Sequence, residues 1–473
     1  MADTASVTSS EIGGQRSRVV SRFRTRNRPR VVIAGAGFGG LEAAKGLAKV
    51  DADVILIDSK NHHCFQPLLY QVATAALSPA DIAWPIRHVL HDQKNVFVMM
   101  ATVEAVDRQA RLVITDQGAI PFDYLVIGTG ASHFYFGHDE WEQYAPGLKR
   151  VEDATQIRTR ILTAFERAEI ARDDEERRRL LTFAVIGGGP TGVEMAGAIA
   201  EIAKQALRGD FRCIDPAHAR IVLIEAGPRI LPALPVDLAD YAVSALQKLG
   251  VEVRTASPVT SVDPHGLNMG NERIEAETMI WAAGVVASPA AEWLKVVHDR
   301  NRRVVVNPDL SIPDSNNIFV IGDAAFLIDW KTNKQVPGVS QGALQMGRYV
   351  ARVIQQDMSS NDPAQRGKLR AEGFHYKDLG SMATIGKSRA VVEIGRLRFG
   401  GFLAWCAWLA LHITVLIGFR NRASVLLSWI YSYFFYGRGS RLITNFSSEQ
   451  MAELSSDTMK GASTPKAAAA EKG

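Results

Sequence analysis

Cysteine is scarce in this chain of 473 residues. Only three cysteines occur, Cys64, Cys213 and Cys406, and no two of them form a C-x-x-C pair. A disulfide-stabilised scaffold and a cysteine-rich metal site are therefore excluded, and a reducing compartment is indicated. The histidines do not show metal-ligating spacing either, so we predict no metal site.

A hydrophobic leader is also missing, and the body of the chain after residue 30 is not basic. No apolar run follows the basic N-terminus, which argues against a secretory signal. The formal net charge of +4 comes from residues 1–30, where seven arginines face two acidic residues, so the remainder carries −1. We therefore expect no nucleic-acid partner. We predict a disordered basic arm over residues 1–29, with an organellar transit peptide as the alternative.

The length exceeds what one hydrophobic core usually supports, so two or three domains are expected. Hydrophobic residues make up 47% of the chain and charged residues 22%, which is ordinary globular composition. A small binding module and a chain that is disordered throughout are both excluded.

The first motif is a strand, a glycine turn and a helix in direct succession. An apolar run over residues 31–34 precedes the glycines, residues 41–49 form a helix pattern, and a second apolar strand over 53–57 ends at Asp58. The glycines are Gly35, Gly37, Gly39 and Gly40. Asp58 lies 23 positions after the first of them, the spacing at which an acidic residue accepts a hydrogen bond from a ribose. This pattern predicts a dinucleotide-binding fold.

The same arrangement recurs in the middle of the chain. A strand over residues 183–186 leads to the turn glycines and a helix, and a strand over 220–224 ends at Glu225, 38 positions after Gly187. The predicted binding residues of the turn are Gly187, Gly189, Thr191 and Gly192. A carboxylate at this strand end binds a ribose diol and repels a 2′-phosphate, which favours NADH over NADPH, although Arg229 lies close by in sequence.

Two dinucleotide folds call for two dinucleotides, one a bound flavin and the other a diffusing nicotinamide. Strand-to-glycine turns that end at Gly130 and Gly284 close the first and second folds. A further strand ends in Gly322-Asp323-Ala324, where the chain returns to the first fold and Asp323 can accept from a ribityl hydroxyl. The predicted domains are a first FAD-binding part (30–150), an NADH-binding domain (151–310), a return segment (311–350), a quinone-side and anchor region (351–445) and a disordered tail (446–473).

This organisation resembles the two-dinucleotide-binding flavoprotein reductases, an α/β class with two Rossmann-like domains in a glutathione-reductase-like arrangement. Disulfide reductases of that superfamily carry a redox-active cysteine pair soon after the first acidic residue. Here the corresponding region contains Cys64 alone. A single thiol cannot relay two electrons as a disulfide, so that branch is excluded.

Three further segments resemble type II NADH dehydrogenases, the single-subunit membrane NADH:quinone oxidoreductases. They are PLLYQVAT at 67–74, GPTGVE at 189–194 and PGVSQGALQ at 337–345, and the likeness covers roughly residues 30 to 440. Ser340 stands where the family usually has alanine. No D-x-D-x-D-G loop exists, so the calcium-binding insertion of some plant-type members is absent.

The resemblance implies cofactors, partners and site residues. It implies non-covalent FAD in the first fold, contacted by the Gly322-Asp323 turn, NADH as the substrate in the second fold, and a homodimer. It also places a membrane quinone near Gln341, Gln345 and Ile385. The resulting hypothesis is non-electrogenic electron transfer in a respiratory chain: a hydride passes from NADH to FAD, and two electrons then pass to the quinone.

Glu194 is the candidate for assisting quinone protonation, alongside Gln341 and Gln345 as the other predicted catalytic residues. It lies two residues after the last glycine of the second fingerprint, and the resemblance links a glutamate here to both substrate sites. The alternative is a carboxylate that only complements the helix dipole.

The C-terminal segment 399–436 is predicted to bind a bilayer surface. Residues 399–419 are free of charged side chains, and residues 424–436 form an amphipathic helix with a serine stripe and aromatic residues beside arginines. We predict a monotopic anchor on the cytoplasmic face of the inner (plasma) membrane. A single transmembrane span or a mitochondrial inner-membrane location is the alternative, and a buried helix pair or a dimer interface is a further one.

Two other functions remain open at this point. One is a soluble NAD(P)H-dependent flavin reductase of the ferredoxin type, which would lack the C-terminal segment. The other is an apoptosis-inducing-factor-like protein that binds FAD and NADH but acts through partners, a function that the basic arm would favour.

Overall fold

The computed structural model describes residues 28–359, 363–435 and 440–443. The predicted tail over 446–473 lies outside the described residues, as does the predicted arm apart from residues 28 and 29.

The strands and helices alternate along most of the chain. In chain order the strands begin with β1 (Arg30–Ala34), β2 (Asp53–Asp58), β3 (His62–Cys64), β4 (Ala83–Pro85), β5 (Val96–Met100), β6 (Val103–Asp107), β7 (Leu112–Thr115), β8 (Gly118–Pro121), β9 (Tyr124–Ile127), β10 (Ala131–His133), β11 (Thr182–Ile186), β12 (Arg220–Ile224) and β13 (Val251–Arg254). They continue with β14 (Ser261–Asp263), β15 (Gly266–Met269), β16 (Glu272–Glu275), β17 (Thr278–Trp281), β18 (Val285–Ala287), β19 (Val304–Val305), β20 (Ser311–Ile312), β21 (Ser315–Val320), β22 (Ala325–Phe326), β23 (Ser381–Thr384), β24 (Ala390–Ile394) and β25 (Leu397–Gly401). The helices are α1 (Phe38–Gly46), α2 (Leu69–Ala73), α3 (Pro79–Ile82), α4 (Ile86–Val89), α5 (Val151–Ile170), α6 (Asp174–Leu180), α7 (Pro190–Glu201), α8 (Val236–Lys248), α9 (Ala290–Leu294), α10 (Ser340–Ser359), α11 (Pro363–Glu372), α12 (Phe402–Val415) and α13 (Phe419–Phe435).

The first fingerprint belongs to a six-stranded sheet of order β20-β21-β9-β1-β2-β5. Its strands are parallel except at the β20-β21 edge. Strand β1 is buried along its whole length and contacts both α1 and β8, which explains its continuous run of apolar residues. The return strand β21 pairs with β9, as the Gly-Asp motif predicted.

The second fingerprint belongs to a separate four-stranded parallel sheet of order β13-β12-β11-β17. The antiparallel pair β10 and β18 links the two sheets at the points where the chain crosses over. Residues Ala290, Leu294 and Val304 already pack in the core of the first sheet, so the chain returns to it before residue 310, the boundary expected from sequence.

The C-terminal region begins with an antiparallel sheet of order β23-β24-β25. This sheet packs against α7 and α8 of the second nucleotide fold, and α12 follows β25 directly. The two C-terminal helices therefore follow a sheet that packs on the second nucleotide fold, and α13 also contacts α3.

The uncharged segment 399–419 does not form a single helix. The first three of these residues end strand β25, and α12 has 14 residues, which is about 21 Å at 1.5 Å per residue. Gly401 adopts a φ of 89°, which ends the strand and begins the helix. Among the described residues, no helix is both long and apolar enough to cross a membrane.

The second C-terminal helix also begins earlier than predicted, at Phe419 rather than Ser424. Arg422 lies inside it and donates to the carbonyl oxygens of Leu416 (2.7 Å) and Thr414 (2.8 Å) at the end of α12. A guanidinium at a helix C-terminus satisfies carbonyl groups that lack an intrahelical partner. Arg422 therefore fixes the turn between α12 and α13.

Candidate active site

The glycines of the first fingerprint allow three backbone segments to come very close together. A Cβ on Gly35, whose φ is 97°, would lie 2.4 Å from the Gly128 carbonyl oxygen, and a Cβ on Gly40 would lie 1.8 Å from the Gly35 oxygen. Gly39 is similarly crowded, because its Cβ would lie 3.0 Å from the Ala343 oxygen on α10. These positions accept only glycine, and they fix the N-terminus of α1 at the carboxyl end of β1.

Asp58 completes the first site at the end of β2. Its carboxylate accepts the backbone N–H groups of Ala36 (2.7 Å) and Lys60 (2.8 Å), which aim it at the glycine turn. Burial raises the pKa of Asp58, and the two backbone donors act in the opposite direction.

The second fingerprint repeats this geometry. A Cβ on Gly187, at a φ of 114°, would lie 2.6 Å from the Ala282 oxygen, and one on Gly192 would lie 1.8 Å from the Gly187 oxygen. Glu225 accepts the backbone N–H groups of Gly188 (2.6 Å) and Gly227 (2.7 Å), as Asp58 does in the first site. Two equivalent nucleotide sites are therefore built on two separate sheets.

The Arg229 guanidinium donates within its own loop and is not placed to donate to a 2′-phosphate. Its guanidinium donates to the backbone carbonyl oxygens of Leu234 and Pro232, each at 2.7 Å. The carboxylate of Glu225 is then the charged group that the structure places at the end of β12.

Both sites suit a dinucleotide. Gly37 and Gly189 are the N-cap residues of α1 and α7, and glycine has no side chain to cap the free N–H groups of the first turn. A Cβ on Gly189 would meet no described atom within 4 Å, and one on Gly37 would come no closer than 3.9 Å. This leaves open space for a pyrophosphate at each helix N-terminus.

The supporting turns differ from one another. Gly130, with a φ of 69°, has open space around its Cβ position, whereas a Cβ on Gly284 would lie 2.9 Å from the Phe136 ring. Gly322 has a φ of 67° and is followed by Asp323, whose Oδ2 lies 3.7 Å from Lys149 Nζ. Ala324 is fully buried. The Asp323 carboxylate is partly exposed beside the glycine turn of the first site.

Glu194 lies on α7, one turn after the second fingerprint, and is only 9% exposed. Its Oε1 accepts the backbone N–H of Thr384 at 3.4 Å. The two segments can approach because Gly197 on α7 faces β23, where a Cβ would lie 3.1 Å from the Ile385 carbonyl carbon. Burial raises the pKa of Glu194 to about 8.

A cleft lies beside this contact, between α2, α7, the end of β23 and the two C-terminal helices. Its polar wall includes Tyr70, Gln71 and Thr384, and its aromatic wall includes Trp408 and Trp429. Thr384 belongs both to the cleft and to the hydrogen bond with Glu194. The carboxyl group of Glu194 is therefore linked through Thr384 to a cleft with polar and aromatic walls.

The predicted quinone residues are placed differently. Gln341 donates to the Gly380 oxygen (2.9 Å) and accepts from Leu379 N (3.2 Å), and Gln345 exchanges two hydrogen bonds of 2.9 Å with the backbone of Lys377. Both amides on α10 thus hold residues 377–380 in place. Ile385 is fully buried in the hydrophobic core, with its neighbour Thr384 lining the cleft.

Sequence reasoning did not single out Tyr70, Gln71, Thr384 or Trp429. Tyr70 and Gln71 lie more than 300 positions before Thr384 and Trp429 in the sequence, and only the segment at 67–74 carried a signal, as part of the family resemblance. Within the described part of the chain, no cluster of three or more His, Cys, Asp or Glu side chains could hold a metal ion.

Comparison with known proteins supports these features. A sequence model of the pyridine nucleotide-disulphide oxidoreductases matches residues 29–347, and one of the NDH2 C-terminal domain matches 379–439. The chain is 44% identical to the type II NADH:quinone oxidoreductase Ndh of Mycobacterium tuberculosis over 460 residues, covering 93% of this chain and 97% of that protein. It is 45% identical to NdhA of the same organism over 433 residues, covering 88% and 90%.

Among solved structures, NDH2 from Plasmodium falciparum in complex with NADH superposes with a TM-score of 0.80 at 21% identity, covering 89% of this chain and all of that one. The predicted α/β fold with two dinucleotide-binding domains is confirmed. The relatives favour quinone reduction over the two alternative functions. This protein belongs to the type II NADH:quinone oxidoreductases, within the pyridine nucleotide-disulphide oxidoreductase family.

Proposed function

We propose that this protein is a non-electrogenic NADH:quinone oxidoreductase of a respiratory chain, acting from the cytoplasmic face of the inner (plasma) membrane. The observation that carries the proposal is the position of Thr384. Its backbone binds Glu194 on the helix of the second nucleotide site, and it lines a cleft formed with the C-terminal helices. The two substrate sites thus share one wall.

Activity in cell fractions tests this proposal directly. NADH:quinone activity should follow the membrane pellet, and NADH should be a better donor than NADPH. Activity confined to the soluble fraction, or turnover with oxygen but not with quinone, would contradict it.

FAD is proposed for the first site, held non-covalently. The glycine turn and the N-terminus of α1 would hold its pyrophosphate, Asp58 its adenosine ribose and Asp323 its ribityl hydroxyls. When bound, FAD supplies the chemistry of accepting a hydride and passing electrons to a quinone. The protein's part is to orient the two substrates and exclude competing reactions.

NADH is proposed for the second site, and Glu225 should set the preference over NADPH. Replacing Glu225 with serine removes the carboxylate that would repel a 2′-phosphate, so the ratio of kcat/KM for NADH to that for NADPH should fall about tenfold. Steady-state kinetics with both donors measure the ratio. The matched control is Glu252→Ser, because Glu252 lies on the neighbouring strand and pairs with Arg220. An unchanged ratio in Glu225→Ser would show that Glu225 does not set the preference for NADH.

Gln341 and Gln345 are proposed to act on the quinone side by holding residues 377–380. That segment leads directly into β23 and so sets the position of Thr384. Ile385 would support the same wall from the buried side.

A bilayer surface is proposed to cover the exposed apolar face of α12 and α13. Leu403 is 73% exposed, Leu427 66% and Phe434 68%. Burying such a side chain in hydrocarbon contributes about 1.5–3 kcal/mol, so a few of them can hold a monotopic protein on a membrane.

Two polar substitutions on this face should therefore release the enzyme. The double variant Leu403→Asn/Leu427→Asn should move most of the protein from the membrane pellet to the soluble fraction, while NADH:ferricyanide activity is retained. Ile170→Asn is the matched control, because Ile170 is 75% exposed on α5. Continued sedimentation of the double variant with membranes would rule out this docking face.

A homodimer is also proposed, on the family resemblance alone. Sedimentation of the detergent-solubilised holoenzyme tests it.

A further inference from the structure

A continuous series of hydrogen bonds runs along the cleft, from the membrane-side helix α13 to the wall of the nicotinamide site. Trp429 Nε1 donates to Gln71 Oε1 at 2.7 Å, and Gln71 Nε2 donates to Tyr70 Oη at 2.9 Å. Tyr70 Oη lies 3.0 Å from Thr384 Oγ1. None of the three side chains Trp429, Gln71 and Tyr70 was selected from the sequence as a site residue.

The direction of these bonds leaves one donor for a ligand. The Gln71 amide nitrogen can only donate, so it uses one lone pair of the Tyr70 oxygen. When the Thr384 hydroxyl donates as well, both lone pairs are engaged, and the Tyr70 O–H is available to donate into the cleft.

Two other donors of the cleft wall, Thr74 and Lys387, have acceptors within the protein. Thr74 Oγ1 donates to the Tyr70 carbonyl oxygen at 2.8 Å, and Lys387 Nζ donates to the carbonyl oxygens of Ser432 and Tyr433. The indole of Trp429 and the amide of Gln71 are engaged in the series itself. Tyr70 is thus a wall residue whose two neighbours, Gln71 and Thr384, leave its O–H free to donate to an outside acceptor.

The walls around Tyr70 suit a planar ring that bears carbonyl groups. The Trp408 ring lies edge-on to Tyr70 with centroids 6.5 Å apart, and Trp408 and Trp429 are 5.7 Å apart. Aromatic walls with an aimed donor are typical of sites for flat, largely apolar ligands.

We propose that Tyr70 donates a hydrogen bond to a quinone carbonyl oxygen in this cleft, and that Gln71 and Trp429 are positioning residues that aim it. The inference rests on the proposed function, because it names the residue that recognises the quinone. Since Trp429 belongs to α13, the membrane-side helix takes part in assembling the site. A quinone carbonyl accepts the hydrogen bond without any covalent change in Tyr70.

Kinetics of the full-length holoenzyme with a soluble short-chain ubiquinone test this assignment. Tyr70→Phe should raise the quinone KM about tenfold, which is the effect of losing one buried hydrogen bond. The NADH KM and the ferricyanide rate should stay within about twofold. Tyr349→Phe is the matched control, because Tyr349 is a buried tyrosine whose hydroxyl donates to the Leu369 oxygen away from the cleft.

A second variant tests the positioning role. Trp429→Phe removes the donor to Gln71 and keeps a six-membered aromatic ring in the cleft wall, so it should raise the quinone KM about threefold. The double variant Tyr70→Phe/Trp429→Phe should be no worse than Tyr70→Phe alone, because Trp429 acts through Tyr70. Trp84→Phe is the control, since Trp84 contacts the start of α13 at Gly418 outside the cleft.

The outcomes separate this inference from the proposed function. An unchanged quinone KM in Tyr70→Phe, or additive effects in the double variant, would overturn the inference while the wild-type enzyme still reduces quinone. A wild-type enzyme that reduces ferricyanide but no quinone would overturn the proposed function itself. Melting temperature and FAD content check that each variant is folded, and Trp429→Phe keeps the test open if Tyr70→Phe does not fold.

Discussion

Replacing Glu194 with glutamine should lower quinone turnover about a hundredfold, because general acid catalysis typically contributes 10²–10⁴ to a rate. Reduction of a quinone consumes two protons, and a buried carboxyl group with a pKa of about 8 carries a proton at neutral pH. Glutamine has nearly the same shape but cannot release a proton. Ferricyanide accepts electrons without protons, so its reduction should change less than about twofold.

The pH profile gives a second measurement of the same role. The proton-bearing form of Glu194 predominates below pH 8, so quinone turnover in the wild-type enzyme should fall as the pH rises through that value. The Glu194→Gln variant should lack this step. Equal losses with both acceptors, or a step that persists in the variant, would exclude the proton role.

Stability supplies the control for misfolding. Because the folded protein holds the Glu194 pKa above its usual 4.5, the unfolded chain releases this proton first, and the wild-type loses stability as the pH rises from about 4.5 towards 8. Glu194→Gln removes that loss. We therefore expect the variant to melt at a higher temperature than the wild-type at pH 7, so its lower quinone turnover cannot come from unfolding.

Replacing Gly189 with alanine should raise the KM for NADH about a hundredfold without unfolding the protein. The added methyl group would meet no described atom within 4 Å, and a φ of −70° is allowed for alanine. The methyl group would instead occupy the space at the N-terminus of α7 where a pyrophosphate is expected to approach the backbone. The prediction is therefore a binding defect in a folded enzyme.

Two other glycine substitutions make this test specific. Gly192→Ala places a Cβ 1.8 Å from the Gly187 oxygen and should impair folding. Gly367→Ala on α11 meets no described neighbour within 4 Å and should leave the NADH KM unchanged. NADH titrations and melting temperatures of the three variants distinguish the cases. A normal NADH KM in Gly189→Ala would show that the nucleotide does not lie at this helix N-terminus.

The nucleotide folds could be predicted because their signals are local. Each fingerprint reads continuously along the chain from strand to turn to helix, and Asp58 and Glu225 follow strands that neighbour the first. Their hydrogen bonds to Ala36 and Gly188 reproduce one geometry twice. The local backbone requirements of glycine are sufficient to specify this geometry.

The C-terminal region was predicted less well because its determinants are remote. Gly400 and Gly401 belong to a strand whose partner is β24, and a Cβ on Gly400 would lie 3.1 Å from the ring of Tyr241 on α8. Hydropathy along residues 399–419 contains no trace of that partner. The uncharged run therefore suggested a longer helix than the structure contains.

The cleft could not be predicted for a related reason. Tyr70, Thr384 and Trp429 meet only after three segments fold together, and each is an ordinary core residue in its own segment. Gln341 and Gln345 are the opposite case. A sequence motif identified them as quinone residues, but in the structure their amide groups bind the backbone of residues 377–380.

The direct passage from β25 into α12 has a consequence for how the enzyme would meet its substrates under the proposed docking on a bilayer. Because no linker intervenes, a bilayer that holds α12 also sets the tilt of both nucleotide sites. The molecule then keeps only lateral diffusion and rotation about the membrane normal. Its encounters with quinone become a search in two dimensions, governed by the number of quinone molecules per unit area of lipid. Its encounters with NADH remain a three-dimensional search from the aqueous phase, so the two half-reactions respond to different concentrations.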